Sequence, residues 1–216
     1  FSLVREERLS EVSGTVKLWR HDATGAELLS IVNNDENKCF GATFRTPPKD
    51  STGVAHILEH SVLCGSEKYP VKEPFVELLK GSLQTFLNAF TFPDKTCYPV
   101  ASANLQDFYN LVDVYLDAVL HPAIFHKRAI FEQEGWHVEL AGEEGSGKLA
   151  YNGVVYNEMK GAYGSVNTVI SNELSKLLFP NNCYGKESGG HPESIPSLTY
   201  KKFLEGHKKI GRASCR

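Results

Sequence analysis

Two histidines and a glutamate within five consecutive residues have the types and spacing needed to hold and use a metal ion. His56 and His60 are four residues apart, so on a helix their imidazoles share a face and can reach one ion. Glu59 directly precedes the second histidine and would lie beside that ion. A zinc site for hydrolytic chemistry also needs a third protein ligand and an open position for water. The alternative interpretation is a helix with two surface histidines.

Glu158 is the candidate for the third ligand. It lies in the segment Gly-Val-Val-Tyr-Asn-Glu-Met-Lys-Gly, residues 153–161, whose apolar residues have helical spacing. The residues alone also allow a surface carboxylate on an amphipathic helix. The metal-site hypothesis therefore depends on this one downstream carboxylate.

The segments before the histidine motif have the alternation that is typical of strands. Residues 15–20, 27–32 and 39–45 are separated by short polar turns, which predicts a three-stranded antiparallel meander. Cap-forming residues at Ser51 and Thr52 predict that a helix begins there and carries the motif.

Helical periodicity follows the motif. Its clearest case is an apolar stripe over residues 105–119, which Asn104 can cap and Pro122 ends. Further helices are predicted at residues 73–80, 125–139, 154–163, 169–178 and 198–205, and a surface loop at residues 142–147. Strands first and helices afterwards predict an α+β fold, in which an antiparallel-rich sheet packs with helices, rather than a regular βαβ alternation.

The composition is that of an ordinary globular protein and restricts the possible partners. The 216 residues can form one large domain or two small ones, with 41% hydrophobic and 23% charged residues. A net charge of −3 gives no electrostatic argument for nucleic-acid binding. No apolar run approaches the roughly 18 residues that a membrane span requires. Five widely spaced cysteines without a CxxC pair favour a reducing, intracellular compartment.

A long and specific resemblance adds to these patterns. The His-Ile-Leu-Glu-His motif and the Glu158 segment resemble those of the pitrilysin-type inverzincin zinc metallopeptidases, most closely the presequence proteases. The resemblance extends over about residues 35–207 and includes several further stretches. These stretches are residues 44–53, 68–75, 87–94, 107–115, 133–137 (Gln-Glu-Gly-Trp-His) and 188–190 (Ser-Gly-Gly).

The resemblance implies a role for each residue of the candidate metal site. His56, His60 and Glu158 would bind one Zn²⁺ as the cofactor. Glu59 would not bind the metal but would act as the general base on the zinc-bound water and then return the proton to the leaving amine. The sequence identifies no partner that would orient the two imidazoles.

The resemblance also implies a substrate-binding edge strand. It would lie at residues 87–91, with Asn88, Ala89 and Phe90 in contact with an unfolded peptide that docks by β-augmentation. The alternative is an ordinary buried strand with a polar Asn88.

The chain is predicted to be a single N-terminal catalytic metallopeptidase domain, residues 1–216, that is incomplete at its C-terminal end. Residues 208–216 do not continue as the family does, and family members are several times longer. In them a second half supplies an arginine and a tyrosine that stabilise the oxyanion. The missing C-terminal half is therefore an implied partner, and the chain alone is expected to be weak or inactive.

Three functions follow from these observations. The resemblance implies a zinc-dependent metalloendopeptidase that degrades short unstructured peptides, such as cleaved organellar targeting presequences, in the mitochondrial matrix or plastid stroma. No targeting peptide is visible, since the chain begins at Phe1. The second function is that of a truncated, catalytically impaired homologue that binds zinc or peptide without turnover. The third is a structural zinc site in an unrelated α+β protein, which the length of the resemblance makes remote.

Overall fold

The computed structural model describes residues 1–71, 74–142 and 147–213, with side chains up to residue 209. Within these residues nine strands form three antiparallel sheets, and seven α-helices accompany them. The predicted α+β class, with antiparallel sheets packed against helices, is confirmed. None of the helices in this described part is long and apolar enough to cross a membrane.

The first sheet is formed by the N-terminal strands in the order β1-β2-β3. Its members are β1 (Ser2–Leu9), β2 (Gly14–Arg20) and β3 (Glu27–Val32). The sequence did not predict β1, because its apolar residues do not alternate with its charged ones and all eight residues are exposed.

The second sheet corrects the predicted meander, because the third predicted strand does not join the first two. Its members are β4 (Lys38–Arg45), β5 (Gln84–Leu87), β6 (Phe90–Thr91) and β7 (Lys95–Ser102). β4 and β5 pair with opposite sides of β7, and β6 continues the β5 side. The buried face of β4 explains this choice: Phe44 packs against Tyr98 of β7, so β4 belongs to the core sheet rather than to the exposed one.

The helix α1 (Val54–Val62) carries the histidine motif and lies between two apolar cores. Ile57 and Leu58 belong to one core and Val62 to the other. The helix is therefore buried on most of its circumference. α2 (Pro74–Gly81) follows, close to the predicted 73–80, although residue 73 lies outside the described residues.

The helix α3 (Leu105–Leu120) covers the second sheet and agrees with the predicted residues 105–119. The Asn104 side chain accepts a hydrogen bond from the Asp107 amide at 3.0 Å and so caps the helix as predicted. Leu111 and Tyr115 of the apolar stripe are buried, each at 1% exposure or less.

The predicted helix over residues 125–139 is wrong in its second half. α4 spans only Arg128–Glu134, and the chain then forms a hairpin of β8 (His137–Ala141) and β9 (Lys148–Asn152). Gly135 ends the helix, since its amide donates to Phe131 O at 2.8 Å to close the last turn. The predicted loop at residues 142–147 connects the two strands, and its residues 143–146 lie outside the described residues.

Three more helices complete the chain. They are α5 (Val154–Ala162), α6 (Val166–Leu178) and α7 (Tyr200–Ala213). The first two agree with the predicted helices, while α7 begins two residues later than predicted and extends further. α1 packs against α4, α5 and α7, so the histidine motif meets segments from the second half of the chain.

Candidate metal centre

The start of α1 differs from the prediction in its capping residue. Gly53, rather than Ser51 or Thr52, is the N-cap, and it has a left-handed conformation with φ of 69°. The side chain of Asp50 instead accepts hydrogen bonds from both the amide and the hydroxyl of Thr52. This Asx turn fixes the approach to the helix, so that His56 is one turn inside it.

The structure brings the three predicted ligands together. Glu158 Oε2 lies 3.6 Å from His56 Nε2 and 3.7 Å from His60 Nε2. One ligand atom from each of the three residues lies within 4.8 Å of the other two. The two histidines come from α1 and the glutamate from α5, so the contact between these helices assembles the cluster.

The donor set fits zinc in both chemistry and spacing. Tetrahedral zinc with bonds of about 2.0–2.2 Å holds its ligand atoms about 3.3–3.6 Å apart, close to the separations of Glu158 from the two imidazoles. Two imidazoles and one carboxylate are a common donor set of catalytic zinc. The side chain of Glu158 is 52% exposed, whereas that of His56 is 11% exposed. The solvent-facing side of the cluster therefore leaves room for water or substrate.

Each imidazole also contacts an acceptor oxygen through Nδ1, its second ring nitrogen. His56 Nδ1 lies 2.9 Å from the carbonyl oxygen of Gly189, and His60 Nδ1 lies 3.4 Å from Glu134 Oε2. A carbonyl and a carboxylate only accept hydrogen bonds, so these contacts favour the tautomer with its proton on Nδ1, which would leave both Nε2 atoms able to bind a metal ion. Sequence reasoning missed these two partners, although both lie in stretches, 133–137 and 188–190, that carried the resemblance.

The electrostatics of the cluster favour a cation. Burial is the strongest single influence on His60 and opposes its protonation, but the hydrogen bond to Glu134 and the nearby negative charges together outweigh burial, so the pKa of His60 is raised. The negative charges of Glu59 and Glu158 act in the same direction. Burial also favours the neutral form of Glu134, yet its bonds to His60 and Gln133 lower its pKa. Several carboxylates thus converge on one imidazole, and such a cluster stabilises positive charge.

Glu59 lies on α1 directly beside His60 and is buried, at 8% exposure. Burial raises the pKa of Tyr98 well above its usual range, and the charge of Glu59 adds to this shift. The carboxylate is therefore close enough to both His60 and Tyr98 to act on them electrostatically. Its position next to the cluster suits a general base, and this role stays a prediction.

The predicted substrate strand lies at the edge of the second sheet. In the described residues β5 and β6 pair only with β7, so their other side is unpaired. Asn88 and Ala89 connect the two strands. The backbone amide of Asn88 donates a hydrogen bond to Pro99 O at 3.2 Å. β6 packs against α1, which places this edge next to the metal centre. Phe90 is 38% exposed, so the segment lies at the surface rather than in the core.

Comparison with known proteins gives the chain its relatives. Residues 41–142 match the family Peptidase_M16, described as Insulinase (Peptidase family M16). Presequence protease 1, chloroplastic/mitochondrial, of Arabidopsis thaliana is 58% identical over 209 residues, which are 97% of this chain and 19% of that protein. Protein HypA of Clostridium perfringens is 57% identical, over 97% of this chain and 21% of its own length. The mitochondrial presequence protease of Drosophila melanogaster is 47% identical over 97% of this chain and 20% of its own length.

A solved structure has the same fold. The crystal structure of pitrilysin superposes with a TM-score of 0.71 at 20% sequence identity, and the match covers 99% of this chain and 22% of pitrilysin. The chain thus spans about a fifth of the length of the curated relatives it matches. The predicted resemblance is confirmed: residues 41–142 match the insulinase family of peptidases, M16, and nearly the whole chain resembles the N-terminal fifth or so of the presequence proteases.

Proposed function

We propose that this chain is the catalytic part of a zinc-dependent metalloendopeptidase that degrades short unstructured peptides. The observation that carries the proposal is the convergence of His56, His60 and Glu158, from two distant helices, beside the buried carboxylate of Glu59. Each of these side chains has a distinct chemical task.

The two imidazoles and Glu158 would hold the metal. Zinc, when bound, lowers the pKa of a coordinated water to about 7 and polarises a substrate carbonyl. Glu158 lies on the solvent side of the cluster, beside the position left for water or substrate, and the buried His56 lies on its inner side. One zinc per chain is the expected stoichiometry.

Glu59 would move the proton. A carboxylate within hydrogen-bond reach of the attacking water accepts its proton at neutral pH and then donates it to the leaving amine. The residue is on the same helix as both histidines, so the geometry between base and ligands is fixed by a single rigid element. A helix scaffold of this kind needs no loop closure to bring the base into place.

The edge of β5 and β6 would bind the substrate. An extended peptide can add to the unpaired side of these strands through main-chain hydrogen bonds, which any sequence can form. Asn88, Ala89 and Phe90 lie at the point where the edge passes α1. A folded protein cannot offer a free extended backbone, so this mode selects unstructured peptides.

The names of the relatives suggest both the substrate and the compartment. Two of them are presequence proteases, one chloroplastic or mitochondrial and one mitochondrial. We infer by resemblance that the present chain acts on cleaved targeting presequences in the mitochondrial matrix or the plastid stroma.

A further part of the protein would complete the catalytic domain. The relatives are about five times longer than the matched region. The helix α6 has no buried residue, and apolar side chains such as Leu174 and Leu177 are exposed on it. Additional polypeptide that covers such surfaces and supplies oxyanion donors would raise both the stability and the turnover of residues 1–216.

Metal content and peptide cleavage test the proposal together. Zinc per chain is measured for the wild type, for His56→Ala and His60→Ala, and for His126→Ala, which alters an exposed histidine outside the cluster. We expect one zinc in the wild type and the control, its loss in the other two variants, and slow, chelator-sensitive cleavage of an unstructured peptide by residues 1–216 alone. Zinc without cleavage would assign binding without turnover to this chain, and no zinc would contradict the proposal.

A further inference from the structure

Glu134 is a charged residue whose position the proposed catalytic steps do not explain. It is the last residue of α4, belongs to the stretch Gln-Glu-Gly-Trp-His, and is only 6% exposed. An ionised carboxylate is costly to bury unless a partner compensates for its lost hydration. A neighbouring group must therefore stabilise the buried carboxylate of Glu134.

The contacts of Glu134 lead to the metal centre. Its Oε2 lies 3.4 Å from His60 Nδ1, and its Oε1 accepts a hydrogen bond from Gln133 Nε2 at 2.9 Å. The carboxylate is thus aimed at the back of one of the two imidazoles and is held in that direction by its neighbours.

The second imidazole has a different support. His56 Nδ1 faces the neutral carbonyl of Gly189, whereas His60 Nδ1 faces a carboxylate. A carboxylate behind a metal-bound histidine fixes its tautomer, orients its ring and raises its basicity as a ligand. A carbonyl fixes the tautomer and the ring but adds no charge. The two histidines are therefore not equivalent.

We propose that Glu134 is a positioning residue that orients His60 and strengthens it as a metal ligand. This inference rests on the proposed function, since it assumes that His60 binds the metal. It assigns a task to the stretch 133–137, whose role the catalytic residues leave open. The helix α4, which packs on α1, becomes part of the metal centre without touching the ion.

The first experiment compares Glu134→Gln with Glu132→Gln. Glutamine keeps the volume and an acceptor oxygen at position 134 but removes the charge. Glu132 is on the same helix and pairs with Arg128 on the surface, so its change is the matched control. Zinc affinity is measured by competition with a chromophoric chelator, and the metal-free proteins are compared by thermal unfolding. We expect Glu134→Gln to bind zinc about 10–100-fold more weakly and the control to bind as the wild type does.

A spectroscopic measurement separates positioning from a purely structural role. Co²⁺ replaces the zinc, and its visible absorption bands report the geometry of the ligand field. We expect changed bands in Glu134→Gln, and a partial return to the wild-type bands and affinity in Glu134→Asp, which restores the charge on a shorter side chain. A structural role alone would lower the unfolding temperature of the metal-free protein and leave the bands of the bound Co²⁺ unchanged.

The outcomes distinguish the inference from the proposed function. If the wild type binds no zinc, or binds it equally well in His60→Ala, the proposed metal site is wrong. If zinc binding needs His56, His60 and Glu158 but Glu134→Gln matches Glu132→Gln in affinity and Co²⁺ spectrum, only the positioning role of Glu134 is overturned.

Discussion

The Nδ1 atom of His56 lies 2.9 Å from the carbonyl oxygen of Gly189, a residue 133 positions further along the chain. The contact is possible because two backbones approach closely: a Cβ at Gly190 would lie 3.0 Å from the Cα of Gly53. Ser51 holds the same segment, since its carbonyl accepts from the His191 amide at 2.8 Å. The loop at 187–191 and the start of α1 therefore form one unit behind His56.

The first prediction tests this unit through Gly53→Ala. The new Cβ would lie 2.7 Å from Gly189 O, and φ of 69° is unfavourable for alanine. We expect the free energy of unfolding to fall by about 1–3 kcal/mol and zinc affinity to fall as the carbonyl is displaced from His56. Denaturant unfolding and chelator competition measure the two effects.

Gly41→Ala is the control for that prediction, because a Cβ at Gly41 meets no atom within 4 Å. It should leave zinc affinity unchanged. Equal zinc affinity in Gly53→Ala and Gly41→Ala would show that the Gly189 carbonyl does not support His56.

The second prediction concerns Glu59→Gln. The amide cannot accept a proton from water, so we expect peptide cleavage by the complete enzyme to fall by about 10²–10⁴-fold. The metal content should stay near that of the wild type, since the three ligands are unchanged. Cleavage rates and zinc per chain are measured on the same preparation, and loss of zinc would mean that base and ligand are misassigned.

The third prediction tests the edge of β5 and β6 with modified peptides. N-methylation of alternate backbone amides removes hydrogen-bond donors and leaves the side chains unchanged. If the peptide adds as a strand, methylation of the amides that face the edge should weaken binding, while methylation of the other amides should have little effect. Competition against a fluorogenic peptide gives the affinities, and equal effects at all positions would contradict docking by β-augmentation.

The fourth prediction is a pH dependence of stability from His207. Its Nε2 donates to Val119 O at 2.8 Å, and its burial lowers its pKa. In the unfolded chain a histidine takes up a proton near pH 6.5, whereas the folded chain takes it up only at lower pH. The unfolded state therefore binds more protons in this window, and the free energy of unfolding should fall as pH decreases from about 6.5 towards the folded pKa.

Denaturant unfolding at several pH values checks that sign, with His207→Gln as the comparison. Glutamine does not titrate, so the variant should lose part of the slope between pH 7 and pH 5. An equal slope in the two proteins would show that His207 does not contribute to it.

The sequence by itself determined the chemistry of the candidate site. The spacing of His56 and His60 follows from helical geometry alone, and the helix that carries them exists as predicted. The apolar stripe of α3 and its Asn104 cap were also readable, because both signals are local. Local signals failed at residues 125–139, where Gly135 and the pairing of β8 with β9 override a helical pattern.

Only the tertiary structure decided what surrounds the metal centre. The sequence made Glu158 a candidate ligand but left a surface carboxylate as the alternative, and the packing of α5 near α1 places it beside the two imidazoles. The supports of the imidazoles, Glu134 and the Gly189 carbonyl, depend on contacts between segments far apart in the chain. The periodicity of apolar residues describes one helix or strand at a time. It contains no information on which helices, strands and loops contact each other in the folded protein. Every residue has a backbone carbonyl, so the sequence cannot indicate that the carbonyl of Gly189 contacts His56. Only the fold decides this contact.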